Sequence, residues 1–208
     1  MLIDFLDDEF AWRLQEIAFI KGSIRQAQNV SRKALLRAGV PILYAHWEGF
    51  IKQSSLGYIN FVGCQRLRYD ELASCFIAMG ARTQLDGLRA TKNALSNIAT
   101  VDFFLHQLVS RANLPLQSGV NTRSNLSSEV FENIAISIGV DSSKYTTRFK
   151  LIDESLLARR NNIAHGQYID IDTKEYDDLS DNVVELMRWY KTDVMNAAQS
   201  KLYLRHAV

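Results

Sequence analysis

The apolar and polar positions of this chain follow a helical rhythm almost throughout. Residues Asp7 to Leu36 read as one long helix, with Asp7, Asp8 and Glu9 at the positive end of its dipole. Gly39 and Pro41 then predict a break, since glycine suits a helix stop and proline a helix start. From Ile42 to about Cys64 the pattern is apolar on most sides, which predicts a centrally buried second helix. Asp70 to Met79 and Gly87 to Arg111 predict further helices separated by turns. Asn113 to Leu126, with Pro115, Gly119 and several Asn and Ser, predicts a long surface loop. Ser127, Ser128 and Glu129 then signal a new helix start, and Gly139 the stop of that helix after Ile138. Two last helices are expected over Tyr145 to His165 and Tyr176 to Lys201. Between them Gln167 to Lys174 alternates apolar and polar residues, enough for an extended excursion and too little for a sheet.

The fold class this pattern predicts is all-α: a helical bundle with one long loop, organised as one domain over residues 1–208. Composition agrees, with 47% apolar and 23% charged residues and only two prolines in 208 positions. A formal charge of +1 argues against coating nucleic acid by bulk electrostatics, so any such role must rest on a local patch. Arg25, Arg32, Lys33 and Arg37 form one modest basic cluster, Arg66 and Arg68 another. On helices such clusters are commonly solvated faces; the alternative is an RNA track. Cys64 and Cys75 have neither metal-ligand nor redox spacing and read as small hydrophobes beside apolar faces. No zinc spacing, phosphate-binding glycine loop or nucleophile elbow appears, so neither a metal nor a cofactor is expected. The acidic first residues are unlike a signal peptide, and no apolar run approaches the roughly 18 residues of a membrane span. A cytoplasmic location without membrane partners is the expectation.

The most chemically loaded stretch is Leu156 to Gly166. It sets Arg159, Arg160, Asn161 and Asn162 ahead of His165 at a predicted helix end. Arginine clamps phosphate through a planar fork that never loses its charge, and histidine moves protons near neutral pH. On a helical wheel Ile152, Leu156 and Ile163 share the buried face, Glu154, Asn161 and His165 fall nearly opposite, and Asp153 and Arg160 form a third line. Arg160 and His165 are five apart, roughly 140° in a regular helix. They converge if Gly166 releases His165 from helical geometry, or if two chains pair across a twofold axis. In that arrangement Arg160 holds a phosphate, His165 acts as general acid, Asn161 orients the imidazole or bonds a phosphate oxygen, and Asp153 holds the guanidinium. The alternative is structural, because a basic helix end closing in His-Gly is a common capping arrangement.

A second set lies on the second helix. His46, Gln53 and Asn60 form a polar line flanked by Gly49 and Gly57, whose missing side chains favour close helix approach. This line faces another helix, a dimer mate or a cleft, and a hydrogen-bonded core histidine is an equal reading of His46. Glu48 and Lys52, four apart, read either as a surface ion pair or as site residues. His106 and His206 have no evident partners and read as structural or exposed.

Arg159 to Gly166 resembles the R-x4-6-H signature of the HEPN superfamily, in which the arginine is followed by a polar residue and the histidine commonly precedes glycine. Arg160-Asn161 and His165, with four residues between, match that pattern; Arg159 also fits the permitted spacing. Tyr44 to Lys52 with Tyr58, Asn125 to Val130, and Ile138 to Asp141 are similar to a bacterial HEPN-like nuclease subgroup. The resemblance implies an all-α bundle that dimerises and sets paired Arg and His residues in a shared cleft. It further implies a metal-independent endoribonuclease, a toxin or antiviral defence effector restrained by a cognate partner, that uses the RNA 2′-hydroxyl as nucleophile. Other members have lost catalysis and serve as nucleotide- or protein-binding modules.

Overall fold

The computed structural model describes residues 1–90 and 93–205. Three long helices, α1 (Leu2–Gln26), α2 (Asn29–Cys64) and α8 (Thr173–Gln199), pack against one another and carry the main core. Shorter elements complete it: α3 (Ser74–Gly80), α4 (Arg82–Ala90), α5 (Ala94–Asp102) with a π-helical turn over Phe103–Gln107, α6 (Ser128–Ser137), and α7 (Arg159–Ala164). Among the described residues there is no strand, only the isolated bridges Arg68–Arg111 and Leu72–Leu204. The all-α expectation is met.

The first helix boundary falls elsewhere than predicted. The chain breaks at Ala27 and Gln28, both extended, and α2 then runs unbroken through Gly39 and Pro41. Local penalties of about 1 kcal/mol for glycine and about 3 kcal/mol for proline are outweighed by a continuous buried stripe. That stripe includes Leu36, Val40, Leu43, Tyr44, Trp47 and Phe50. Gly39 has a tertiary role: a Cβ there would stand 2.7 Å from the Tyr176 ring of α8. Gly49 and Gly57 do admit a neighbouring helix, as their spacing suggested. Cβ atoms there would meet the Arg13 guanidinium at 3.1 Å and the Phe5 ring at 2.7 Å, both on α1.

Between α2 and α6 the predicted helices are shorter. Tyr69–Glu71 is a single 3-10 turn, α3 starts only at Ser74, and the stretch expected as Gly87 to Arg111 is divided among α4, α5 and the π turn. The Asn113 to Leu126 loop is present and anchored, with Leu114, Val120, Thr122 and Leu126 buried. α6 starts as read, its Ser127 hydroxyl accepting from Val130 N at 3.3 Å, and stops at Gly139, whose φ is +74°. The stretch before α7 is helical but irregular, a 3-10 turn over Ser143–Arg148 and a π-helix over Leu151–Ala158. A π-helix bonds i to i+5, so faces drawn at 100° per residue do not carry across it. Gln167 to Asp172 is irregular chain, and α8 follows from Thr173.

Candidate functional site

Arg160 sits on the first turn of α7, where its guanidinium lies 4.3 Å above the centre of the Tyr44 ring from α2. Nη1 donates to Asn161 Oδ1 at 2.7 Å and Asn125 Oδ1 at 3.0 Å, and Nη2 donates to the Ser124 carbonyl at 3.1 Å. These bonds engage three of the five guanidinium hydrogens and leave Nε–H and one Nη2–H outside the set. All three acceptors are neutral, and among the described residues no carboxylate lies in ion-pair range. The cation is therefore held in a fixed plane without being neutralised.

The platform is itself fixed. The Tyr44 hydroxyl accepts the backbone N–H of Leu126 at 2.6 Å, which ties α2 to the loop end that supplies Ser124 and Asn125. Burial pushes this hydroxyl up to about 12; the Leu126 N–H opposes the shift, the Glu48 carboxylate adds to it and the Arg160 charge opposes it. Glu48 thus stands beside the Tyr44 hydroxyl, one helical turn from the ring that carries Arg160. Ser124 and the preceding Arg123 have φ of +59° and +54°, a left-handed pair that non-glycine residues rarely adopt.

Arg159, next in sequence, has a different environment. Its Nη2 meets Glu175 Oε1 at 3.2 Å, and the other oxygen of Glu175 accepts Asp172 N at 3.1 Å in the capping box of α8. Its charge is spent on joining α7 to α8.

His165 closes α7. Its N–H reaches Asn161 O at 2.9 Å, Gly166 N reaches Ile163 O at 3.0 Å, and Gly166 has φ +77° with no atom within 4 Å of a built Cβ. Glycine is present there for its backbone freedom alone. The imidazole is exposed. The backbone of His165 keeps its helical bond to Asn161, so regular helix geometry sets the Cα positions of Arg160 and His165 roughly 140° apart around α7. Asn161 serves Arg160, through its side-chain oxygen, rather than His165.

Asp153 does not hold Arg160. Its carboxylate accepts Ser128 N at 2.7 Å and Ser128 Oγ at 2.5 Å, so it caps α6. The π-helix after Leu151 breaks the two-turn alignment that sequence spacing suggested. His46 is buried between α1 and α2, its ring 5.3 Å from Trp12, with Glu16 Oε2 3.1 Å from Nε2 but out of hydrogen-bond alignment. Burial lowers its pKa, with Glu16 acting against the shift and Arg13 with it. Lys52 is exposed about 12 Å farther along α2 than Tyr44 and makes no ion pair with Glu48 among the described residues; it lines an apolar groove with Met1, Phe5 and Phe61. The structure thus gathers Arg160, Asn161 and Glu48 around Tyr44 and leaves Arg159, Asp153, His46 and Lys52 elsewhere. Tyr44, Ser124 and Asn125 complete the cluster. Sequence reading assigned them no role, and only the stretches resembling the HEPN subgroup pointed to Tyr44 and Asn125.

The basic clusters are largely engaged. Arg25 pairs with Asp177 at 2.8 Å, Arg32 and Arg37 donate to the carbonyls of Ala27 and Gln167, and Arg68 pairs with Asp70 at 3.0 Å. Cys64 is exposed and Cys75 half-buried, its thiol pushed up by burial. His106 is exposed, and His206 lies outside the described residues. Among the described residues no three His, Cys, Asp or Glu side chains gather as metal ligands, and no helix is long and apolar enough to cross a membrane.

No curated protein and no solved structure matches the chain. One family model does, that described as RiboL-PSP-HEPN, over residues 8–196. The match spans every element that positions Arg160 and His165. An all-α bundle, an uncompensated arginine and a histidine at the helix stop thus occur in a chain that belongs to the RiboL-PSP-HEPN family.

Proposed function

We propose that the chain is a metal-independent endoribonuclease in which Arg160 binds the scissile phosphate and His165 transfers protons. The observation that carries this reading is the state of Arg160: braced by neutral oxygens and the Tyr44 ring, and unpaired with any carboxylate among the described residues. A buried or half-buried cation held so is suited to a dianionic transition state, where its fixed donors need no reorganisation. The reaction is transphosphorylation. The RNA 2′-oxygen attacks the adjacent phosphorus as a base takes its proton; the bond from phosphorus to the 5′-oxygen breaks, and that oxygen receives a proton from an acid. The products are a cyclic phosphate and a 5′-hydroxyl.

One chain supplies one His165, set roughly 140° around α7 from Arg160, whereas the reaction needs a base and an acid. A homodimer supplies both imidazoles, one neutral and one protonated, and lets Arg160 of one copy meet His165 of its partner. Glu48, beside Tyr44, borders the same site. In the cell such an activity belongs to a cytoplasmic toxin or antiviral effector held in check by a cognate partner. The same separation of Arg160 and His165 favours a second reading for a chain that stays monomeric: a binding module for nucleotide or protein.

The test is cleavage of a mixed RNA pool in strong chelator by the parent and by His165→Ala. Cleavage by the parent alone, leaving cyclic-phosphate ends, supports the nuclease. No cleavage by either, together with a monomeric parent, turns the reading to the binding module.

A further inference from the structure

The loop that braces Arg160 has a second face. Arg123, one residue before Ser124, lines a cleft of about 250 Å³ together with Arg82 of α4, Asn121, and Asn133 and Ser137 of α6. The lining contains two guanidinium groups, two amides and a hydroxyl, and no carboxylate. The cleft adjoins another of about 440 Å³ that shares Arg82 and Asn121; there Asp86 stands 3.6 Å from Arg82 in an exposed pair. The two cation sites are joined by backbone. Arg123 and Ser124 are the consecutive left-handed residues, with Asn121 Oδ1 accepting Arg123 N at 2.8 Å and Ser124 O accepting from Arg160. Successive Cα atoms are about 3.8 Å apart, so the cleft begins within one residue of the contact to Arg160.

We propose that this cleft is a subsite for the RNA phosphate next to the scissile one, an assignment that rests on the nuclease reading of Arg160 and His165. Arg82 and Arg123 hold the phosphate from two sides, and Asn121, Asn133 and Ser137 offer donors and acceptors to the ribose 2′-hydroxyl or a base edge. The carboxylate-free lining favours an anion over an apolar surface, and the amides and hydroxyl beside the two guanidinium groups match the ribose and base edges of a strand. The strained turn sets the spacing between the two phosphate positions, because Arg123 lines the cleft and the carbonyl of the next residue, Ser124, holds Arg160. The enzyme therefore favours single-stranded RNA that extends beyond the cleaved step over a bare dinucleotide.

The experiment pairs binding with cleavage. Binding uses a short single-stranded 2′-O-methyl RNA, which lacks the nucleophile, titrated at several salt concentrations with the parent, with Arg82→Gln/Arg123→Gln, and with Lys150→Gln as a control cation on another element. Each lost phosphate contact flattens the slope of log K against log salt by about 0.7 for single strands; the cleft holds one phosphate, so the double variant should lose about 0.7 and the control nothing. With cleavable RNA the double variant should raise KM about tenfold while kcat holds, and leave dinucleotide cleavage unchanged. An unchanged slope and KM in the double variant overturns the subsite. A parent that binds with this arginine-dependent slope but cuts no RNA supports the subsite and overturns the nuclease. A parent that neither binds nor cuts overturns both.

Discussion

The junction of α7 with α8 and the face of α7 toward α2 present the same side chain in two electrostatic settings. At the junction, Arg159 meets a carboxylate that also caps α8, so its charge is consumed in holding two helices together. On the other face, Arg160 meets two amide oxygens, a carbonyl and an aromatic ring, which fix its plane and leave its charge intact. The two residues are adjacent, and a turn of about 100° decides which is structural and which is available to an anion. Identity and spacing alone do not separate them. The oxygen each one faces does.

The largest effect expected from breaking this contrast is at Arg160→Lys. An ammonium has no planar fork to bridge Asn161, Asn125 and Ser124 at once, so kcat/KM should fall at least about 100-fold. The thermal midpoint should stay within about 2 °C, since no buried cavity is made. Initial rates beside a melting curve decide it; a lysine variant as fast as the parent would show that charge alone suffices.

Next comes a substitution that separates capping from catalysis. Asp153→Ala removes both acceptors of Ser128 and should cost about 1–2 kcal/mol of stability by denaturant unfolding. The rate per folded molecule should hold, and a selective loss of rate would return Asp153 to the site. Tyr44→Phe sharpens the platform half of the contrast. It keeps the ring under Arg160 but leaves the Leu126 N–H without its acceptor, a loss of about 1–3 kcal/mol. Its rate should fall only a few-fold; a loss as deep as that of Arg160→Lys would make the hydroxyl part of the chemistry.

The smallest effect is a pH dependence remote from both arginines. Burial holds the His46 pKa below its ordinary 6.5, with Glu16 opposing and Arg13 reinforcing the shift. The unfolded chain therefore takes up this proton at higher pH than the folded one. The contribution of neutral His46 is present above pH 6.5 and is lost as pH falls from there toward the folded value. Urea midpoints measured downward from pH 7 should decline less steeply in His46→Gln than in the parent. Equal slopes would remove His46 from the account.

Much of this architecture is legible in the chain. The apolar rhythm gives an all-α bundle, Ser127 and Gly139 bound α6, and Gly166 ends α7. The errors have physical causes. Gly39 and Pro41 are local helix breakers, but the buried stripe through Trp47 and the Tyr176 ring against Gly39 are long-range and overrule them. A regular wheel aligns Asp153 with Arg160, but the segment between them is π-helical, and Asp153 caps α6 instead. At the site, the types and spacing of Arg160 and His165 are visible, whereas the partners that distinguish Arg160 from Arg159 come from elsewhere. Ser124 and Asn125 lie about 35 residues upstream, Tyr44 on another helix, and Glu175 on the next. Only tertiary packing brings them together.

The central claim is that Arg160, and not Arg159, carries the phosphate. It is tested most directly by RNA cleavage in chelator by Arg159→Ala and Arg160→Ala side by side, each first shown to be folded. The account predicts that Arg160→Ala loses cleavage, while Arg159→Ala keeps it within several-fold and loses at most about 1 kcal/mol of stability, as for an exposed ion pair. Full activity in Arg160→Ala, or a loss confined to Arg159→Ala, would contradict it.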